Sequence, residues 1–195
     1  GLVGIAPKGN DILYAEERLE PGRNFCNKLW NVCRFRQMSG ETADNHTAEG
    51  VLARIDPDRM DADDRAILGR LRDMYRAVEA DFDRFELNRV TQHLYAFFWT
   101  DFCDWYVEVS KTKLKDEAHR GTVLAVQDYV IRELLLILHP FVPFVTEELW
   151  HRMGYGDDDG FLQDARIHIE PAFAEDGPLR YDAEAVDEIA RVRET

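Results

Sequence analysis

The residues best suited to chemistry lie between positions 22 and 38. Asn24, Asn27, Lys28, Asn31, Arg34 and Phe35 recur there at spacings that gather them on one arc of a helical wheel. Phe25, Cys26, Leu29, Trp30, Val32 and Cys33 take another arc and read as the core face. Arg36 falls near that core arc, where it must snorkel or sit at a frayed end. Asn is unfavourable inside a helix by a few tenths of a kcal/mol relative to Ala. Three of them in one helix ask for another reason. An amide both donates and accepts, so it can read a base edge. Lys and Arg bind phosphate. An aromatic ring can stack an unpaired base, worth ~1–3 kcal/mol per base. Such a face suits a single-stranded RNA loop with splayed bases. The same residues could equally be a polar helix surface bonded to neighbouring loops, with Phe35 covered by the 40–60 segment.

Little else in the chain points to chemistry. There is no GxxxxGK[ST], GxSxG or HExxH, so no catalytic residue is assigned. Glu148-Leu149-Trp150-His151 has the ExxH half-site spacing of di-iron bundles. Its only counterpart, Asp116-Glu117-Ala118-His119, is a DxxH in a connecting segment, so no metal site is expected. Cys26, Cys33 and Cys103 form no CxxC and read as reduced, buried thiols of a cytoplasmic protein.

The charge pattern sharpens the first observation. The 195 residues carry 24 Lys+Arg against 38 Asp+Glu, a net charge of −14. That sign argues against wholesale binding of nucleic acid and against DNA as a partner. Yet residues 21–40 hold Arg23, Lys28, Arg34 and Arg36 and no acid, whereas residues 155–195 hold twelve acids against four bases. An acidic body with one basic stretch would guide an anionic partner to one place. No 18-residue apolar run suggests a membrane span, and no basic-then-apolar leader precedes a cleavage site. Residue 1 is Gly, which suggests a piece of a longer chain.

The elements that must position these residues are helices. Periodicity predicts helices over about 22–38, 62–82 (capped by Asp61), 86–111 with a bend near Thr100-Asp101, 121–138 and 143–152. The 121–138 helix is apolar nearly all round and belongs at the centre of a bundle. Residues 40–60 read as polar and irregular, and 111–120 as a polar connection. Ile167 and Ile169 flank His168 in a short strand-like piece, and 182–195 resume a charged helical pattern. The fold class is all-α, an antiparallel helix bundle. The expected division is a lead-in segment over 1–20, the bundle over 21–153, and an acidic tail over 154–195 ending in the start of a linker helix.

Three blocks in order carry a family resemblance. Arg23-Asn24-Phe25-Cys26-Asn27-Lys28-Leu29-Trp30-Asn31 followed by Arg34-Phe35 resembles the RNFxNKLWNxxRF segment of valyl-tRNA synthetases. Phe98 to Glu108 is similar to their FFWxxFCDWYxE stretch, and Leu138 to Trp150 to their LHPFxPFxTEELW stretch. The last block also occurs, more loosely, in the isoleucyl, leucyl and methionyl enzymes. Gly9-Asn10-Asp11-Ile12 resembles the family's GQDI. Two departures stand out. Thr100 replaces a frequent acid, and Val32-Cys33 is bulkier than the usual small pair.

The resemblance implies the helical anticodon-binding domain of a class I synthetase. The HIGH and KMSKS catalytic signatures are absent from this sequence, so this chain alone should be inactive. ATP and Mg2+ would belong to the missing catalytic domain, and no cofactor is expected here. The implied partner is the valine anticodon loop, whose second and third letters are A and C. Lys28, Asn31, Arg34 and Phe35 are the implied readers, with Phe35 as the stacking ring. Arg23 and Arg18 are implied phosphate or base contacts, and Asn27 a further contact. Trp99, Trp105, Pro140, Phe144 and Trp150 are expected to hold the bundle. A cytoplasmic monomer is implied. The alternatives are the same module from an isoleucyl or leucyl enzyme, and a helical protein–protein interaction bundle.

Overall fold

A computed structural model describes residues 19–40, 47–155 and 161–193. All regular structure among them is helical: α1 (Glu20–Met38), α2 (Ala48–Leu52), α3 (Ala62–Asp83), α4 (Leu87–Ala96), α5 (Val107–Lys113), α6 (Glu117–Leu138), α7 (Pro143–Met153), α8 (Ile169–Ala172) and α9 (Ala183–Arg193). A π-helical stretch, Phe97–Tyr106, joins α4 to α5, and single 3-10 turns lie at Pro57–Arg59 and Leu162–Asp164. The helical bundle expected from the periodicity is the observed fold.

Local chemistry explains the boundaries. Pro21 occupies the first turn of α1, where its missing N–H is no loss. Asp61 begins α3 through a reciprocal capping box: its side chain accepts from Asp64 N at 3.1 Å, and Asp61 N donates to Asp64 Oδ2 at 3.2 Å. Gly154 closes α7 at φ 73, a left-handed conformation suited to glycine.

The expected 86–111 helix is one continuous rod, and its middle, around Thr100-Asp101, is wound as π. The buried positions show why. Phe97, Phe102 and Val107 are five apart, as are Phe98 and Cys103, and all five are buried. An i→i+5 winding stacks such a set on one side, and the N–H of Val107 bonds to Phe102 O in that pattern. The rod runs to Lys113 and α6 starts at Glu117, so the polar connection is shorter than expected.

α6 is the axis of the bundle. Every residue from Thr122 to Leu138 is buried, as its all-round apolar character predicts. α3, the α4–α5 rod, α6 and α7 alternate in direction around it, and α1 runs parallel to the rod, with Phe25 beside Tyr95 and Phe98 near one end.

Several expectations are corrected. Residues 47–60 are not irregular: Thr47 caps α2 through Gly50 N, and Ala48, Val51, Leu52 and Ile55 are buried. α2 is too short for periodicity to reveal. Ile167–Ile169 is no strand; Ile169 is buried at the start of α8, and no sheet edge lies beside it among the described residues. Residues 161–193 add Leu162, Ile169, Ala172, Phe173 and Leu179 to the main core. α9 lies on α3, burying Ala185 and Ile189 against Ala66. Gly69 permits this approach, since a Cβ there would sit 2.6 Å from Val186 Cγ2. Trp150 is buried as expected, but Phe144 is 91% exposed and Pro140 is exposed. The buried positions of α7 are Thr146, Leu149, Trp150 and Met153, and Phe144 lies off that stripe.

Candidate nucleic-acid interface

α1 presents two faces of opposite character. Phe25, Leu29, Val32, Cys33 and Arg36 are buried. Asn24, Asn27, Asn31 and Arg34 form an exposed row along the other side. Their spacing of three, four and three follows the helical period, and the row rises about 15 Å. None of the four side chains makes a hydrogen bond or ion pair within the described residues. The amides are therefore not bonded to neighbouring loops. They remain open donors and acceptors, and Arg34 a cation without an acid beside it.

The flanks of this row carry rings and further cations. On the side facing the rod, Lys28 Nζ lies 3.1 Å from Asp104 Oδ1 and 5.1 Å from the centre of the Trp99 ring. Trp99 in turn stacks on exposed Tyr95, with centroids 5.4 Å apart and planes 11° apart. Further along, half-buried Phe35 packs against Leu114, Val123 and Leu124, with Lys111 Nζ 5.9 Å from its ring. On the other flank, Arg152 sits 4.9 Å from the Trp30 ring and its carbonyl accepts from Gln37 Nε2 at 2.6 Å.

The residues singled out from the sequence therefore separate. Asn27, Asn31 and Arg34 share the open row. Lys28 and Phe35 flank it, each already engaged by the rod or α6. Arg23 is exposed and 3.8 Å from Glu20, an exposed pair that holds it weakly. Arg18 lies outside the described residues. Phe35 is covered in part by α6 and the α5–α6 turn and stays half-buried; residues 41–46 of the expected 40–60 cover lie outside the described residues. The sequence does not flag Tyr95 as a surface group, and Trp99, expected in the packing, is half-buried and stacks on Tyr95. Their i, i+4 spacing was visible, but only the docking of α1 on the rod puts them beside Lys28.

Arg36 departs from both expectations for it. It neither snorkels nor frays but is fully buried. Its guanidinium donates to Asp128 Oδ2 at 2.6 Å, Leu124 O at 3.3 Å and Gly40 O at 3.3 Å. Asp128 also accepts from Arg54 at 3.0 Å and from the Tyr155 hydroxyl at 3.2 Å. A buried carboxylate with three donors is a satisfied one. This cluster ties the C-terminal half of α1 to α6 and fixes the rotation that turns Arg34 outward.

The thiols offer no nucleophile. Burial pushes the Cys103 thiol up to about 12 despite nearby Lys28, pushes Cys33 up further, and raises half-buried Cys26. Among the described residues, no three His, Cys, Asp or Glu side chains gather as a metal would require. His151 contacts Glu147, while Glu148 engages Arg152. No described helix is long and apolar enough to cross a membrane.

The fold and this surface define a helical bundle with an open polar row on α1, and comparison with known proteins places the chain in a family. Residues 64–195 match the family model described as the anticodon-binding domain of tRNA ligase, and the chain belongs to that family. The match begins inside α3, so α1 precedes it. Among curated proteins, it is similar to the valine–tRNA ligase of Carboxydothermus hydrogenoformans, 42% identical over 153 residues, or 78% of this chain and 16% of the relative. It is also similar to those of Bacillus subtilis, 38% over 155 residues (77% and 17%), and Mycolicibacterium paratuberculosis, 39% over 154 residues (78% and 16%). The chain thus spans about a sixth of the length of these relatives.

Proposed function

We propose that this chain is the anticodon-reading part of a valine–tRNA ligase, and that the outer face of α1 reads the loop of valine tRNA. The observation that carries the reading is the unpaired row Asn24, Asn27, Asn31 and Arg34. Buried or loop-bonded amides would have argued for packing; these have no partner within the described residues. The similarity to valine–tRNA ligases favours valine over a sibling specificity.

In this reading the domain performs recognition rather than chemistry. Asn27 and Asn31 read base edges, each through one donor and one acceptor. Arg34 and Arg23 meet phosphate or a base edge, and Arg18 could add a further such contact. Lys28, held over Trp99 and near Asp104, supplies a positioned cation. Half-buried Phe35 offers its ring to an unpaired base. The acidic body repels the rest of the RNA unless the basic row is aligned, which raises discrimination. Valine activation with ATP and Mg2+ belongs to the part of the ligase outside this chain. The setting is cytoplasmic protein synthesis, and the module acts as a monomer.

The test is fluorescence anisotropy of a labelled 17-nucleotide valine anticodon stem-loop at low salt, beside a loop with the central A replaced. Arg34→Ala and Asn31→Ala are the informative variants, because both side chains are exposed and unpaired. Loss of discrimination in these variants with an unchanged melting curve supports readout by α1. Equal binding of both loops, or discrimination that survives both substitutions, overturns it.

A further inference from the structure

Tyr95 and Trp99 stand on the rod beside α1, and the fold does not consume them. Their rings stack with planes 11° apart, and Tyr95 stays 45% exposed while Trp99 is half-buried. Neither the Tyr95 hydroxyl nor the Trp99 indole N–H makes a hydrogen bond within the described residues. Rings that belong to a core usually find such a partner. Gln92, three residues before Tyr95, is exposed and its amide is equally unbonded. Residues 94–100 carry no charged side chain, in a chain of which 32% is charged. Amide and two rings thus form an uncharged strip along the rod, beside the open row of α1.

The π winding of Phe97–Tyr106 shapes this strip. Trp99 and Asp104 are five residues apart, which is about 140° around an ordinary α-helix. An i→i+5 winding brings them to one side of the rod instead. Lys28 touches both: its Nζ lies 5.1 Å from the centre of the Trp99 ring and 3.1 Å from Asp104 Oδ1. At the other ring, Tyr95 meets Phe25 with centroids 5.9 Å apart. The α1 residues that touch the pair are therefore the immediate neighbours of Asn24 and Asn27, so strip and row are continuous. Phe35 lies seven residues beyond Lys28, roughly 10 Å along α1. The face has aromatic surface at both ends and amides between.

We propose that the Tyr95–Trp99 pair is a second stacking site for the same RNA, taking an unpaired loop base other than the one that meets Phe35. The proposal rests on the reading of α1 as the anticodon-reading face. The chemistry fits a nucleotide. An aromatic surface accepts the π-face of any base. Lys28 beside it meets phosphate. The Gln92 amide and the Tyr95 hydroxyl can bond a base edge or a ribose 2′-hydroxyl. Two ring sites separated by a row of amides hold a single strand extended along α1. Its bases then reach the amides splayed apart rather than stacked on one another.

The experiment uses the 195-residue chain and the intact ligase that contains it. Each is titrated with valine anticodon stem-loops carrying an abasic site or 2-aminopurine at every loop position in turn. Tyr95→Leu keeps apolar bulk and removes the planar ring, whereas Tyr95→Phe keeps the ring. Tyr95→Leu should weaken binding by about fivefold or more at low salt, the loss for one stacked base. The slope of log K against log salt should not change, because stacking releases no counterions. Tyr95→Phe should stay within about twofold of the unchanged protein, since the π-face remains. At one loop position an abasic site should weaken binding to the unchanged protein and add nothing to the loss in Tyr95→Leu. 2-Aminopurine at that position should be quenched on binding, and Phe35→Leu should leave that quenching in place. The last reading decides the matter even if Tyr95→Leu melts early. Undiminished binding by Tyr95→Leu overturns the proposal, as does a loss that adds to every abasic site alike. Quenching at no position that survives Phe35→Leu also overturns it. So does a loss seen in the chain but not in the intact ligase, because protein then covers the pair. Arg34→Ala and the loop with its central A replaced report on the α1 reading in the same samples. Binding that needs Arg34 but not Tyr95 sinks the second stacking site alone. Coupling of Tyr95 to one loop base, without discrimination at the central A, sinks the anticodon reading alone.

Discussion

Arg34 and Arg36 stand two residues apart on α1 and meet opposite environments. Arg34 projects into solvent with no partner among the described residues. Arg36 is fully buried and bonds to a carboxylate and two carbonyls. The contrast separates two uses of the same side chain. Inside, the guanidinium's fixed fork organises three acceptors from different parts of the fold. Outside, an unpaired guanidinium near no acid is available to an incoming anion. The inner cation sets the orientation of the helix, and the outer one works only because that orientation holds.

The strongest way to break this comparison is to remove the inner anchor. Asp128→Ala leaves Arg36 buried without its carboxylate and deprives Arg54 and Tyr155 of theirs. Stability should fall by about 3–5 kcal/mol, the range for half-breaking a buried pair. Urea unfolding measures it, and a loss below about 1 kcal/mol would mean the cluster is solvated and anchors nothing.

Arg34→Ala is the matching change on the outer face. Stability should stay within about 0.5 kcal/mol, as for a surface substitution. Stem-loop affinity should fall about fivefold at low salt, and the slope of log K against log salt should shrink by about 0.7 if the lost contact is a single-strand phosphate. If stability falls and affinity does not, the two arginines are not used differently.

Lys28 is intermediate, held 3.1 Å from exposed Asp104. Asp104→Asn removes a competitor for that cation and one negative charge beside the row. Affinity should rise about two- to threefold at low salt and the gain should fade as salt is added. A drop in affinity would show that Asp104 positions Lys28 rather than competing for it.

The smallest expected effect is on an exposed pair that serves as a reference. Arg76 donates twice to Glu170, at 2.7 and 3.1 Å, and holds its carboxyl below the usual range. Near pH 4 the unfolded chain therefore binds more protons than the folded one at this site. The pair's contribution is present above the unfolded Glu value of about 4.3 and is lost as pH falls through the lowered folded value. Solvent screening limits it to a few tenths of a kcal/mol. Arg76→Met should slightly flatten the acid side of the stability–pH curve, and a change as large as that of Asp128→Ala would erase the distinction between buried and exposed pairs.

Much of this molecule was legible in its residues. The 3.6-residue period marked α1, α3, α6 and α7, Asp61 announced its own cap, and the all-round apolar run of α6 identified the bundle's axis. The outer row of α1 was legible because asparagines are costly in a helix and these fell on one arc with Arg34. What could not be read required knowing what lies across from a residue. Five-residue α2 is shorter than the window in which a period can be counted. α9 reads as a charged linker because few of its residues are apolar, and Ala185 and Ile189 find their partners only across the bare backbone at Gly69 of α3. Phe144 has core composition, and only the finished bundle shows that it stays 91% exposed.

The sequence by itself therefore determined the helices, their buried stripes and the chemical character of the α1 face, because these depend on local periodicity and side-chain type. Tertiary structure decided which polar groups are consumed and which stay open. Arg36 and Arg34 differ only in what faces them, an aspartate on α6 or water, and that is settled by packing between segments about ninety residues apart.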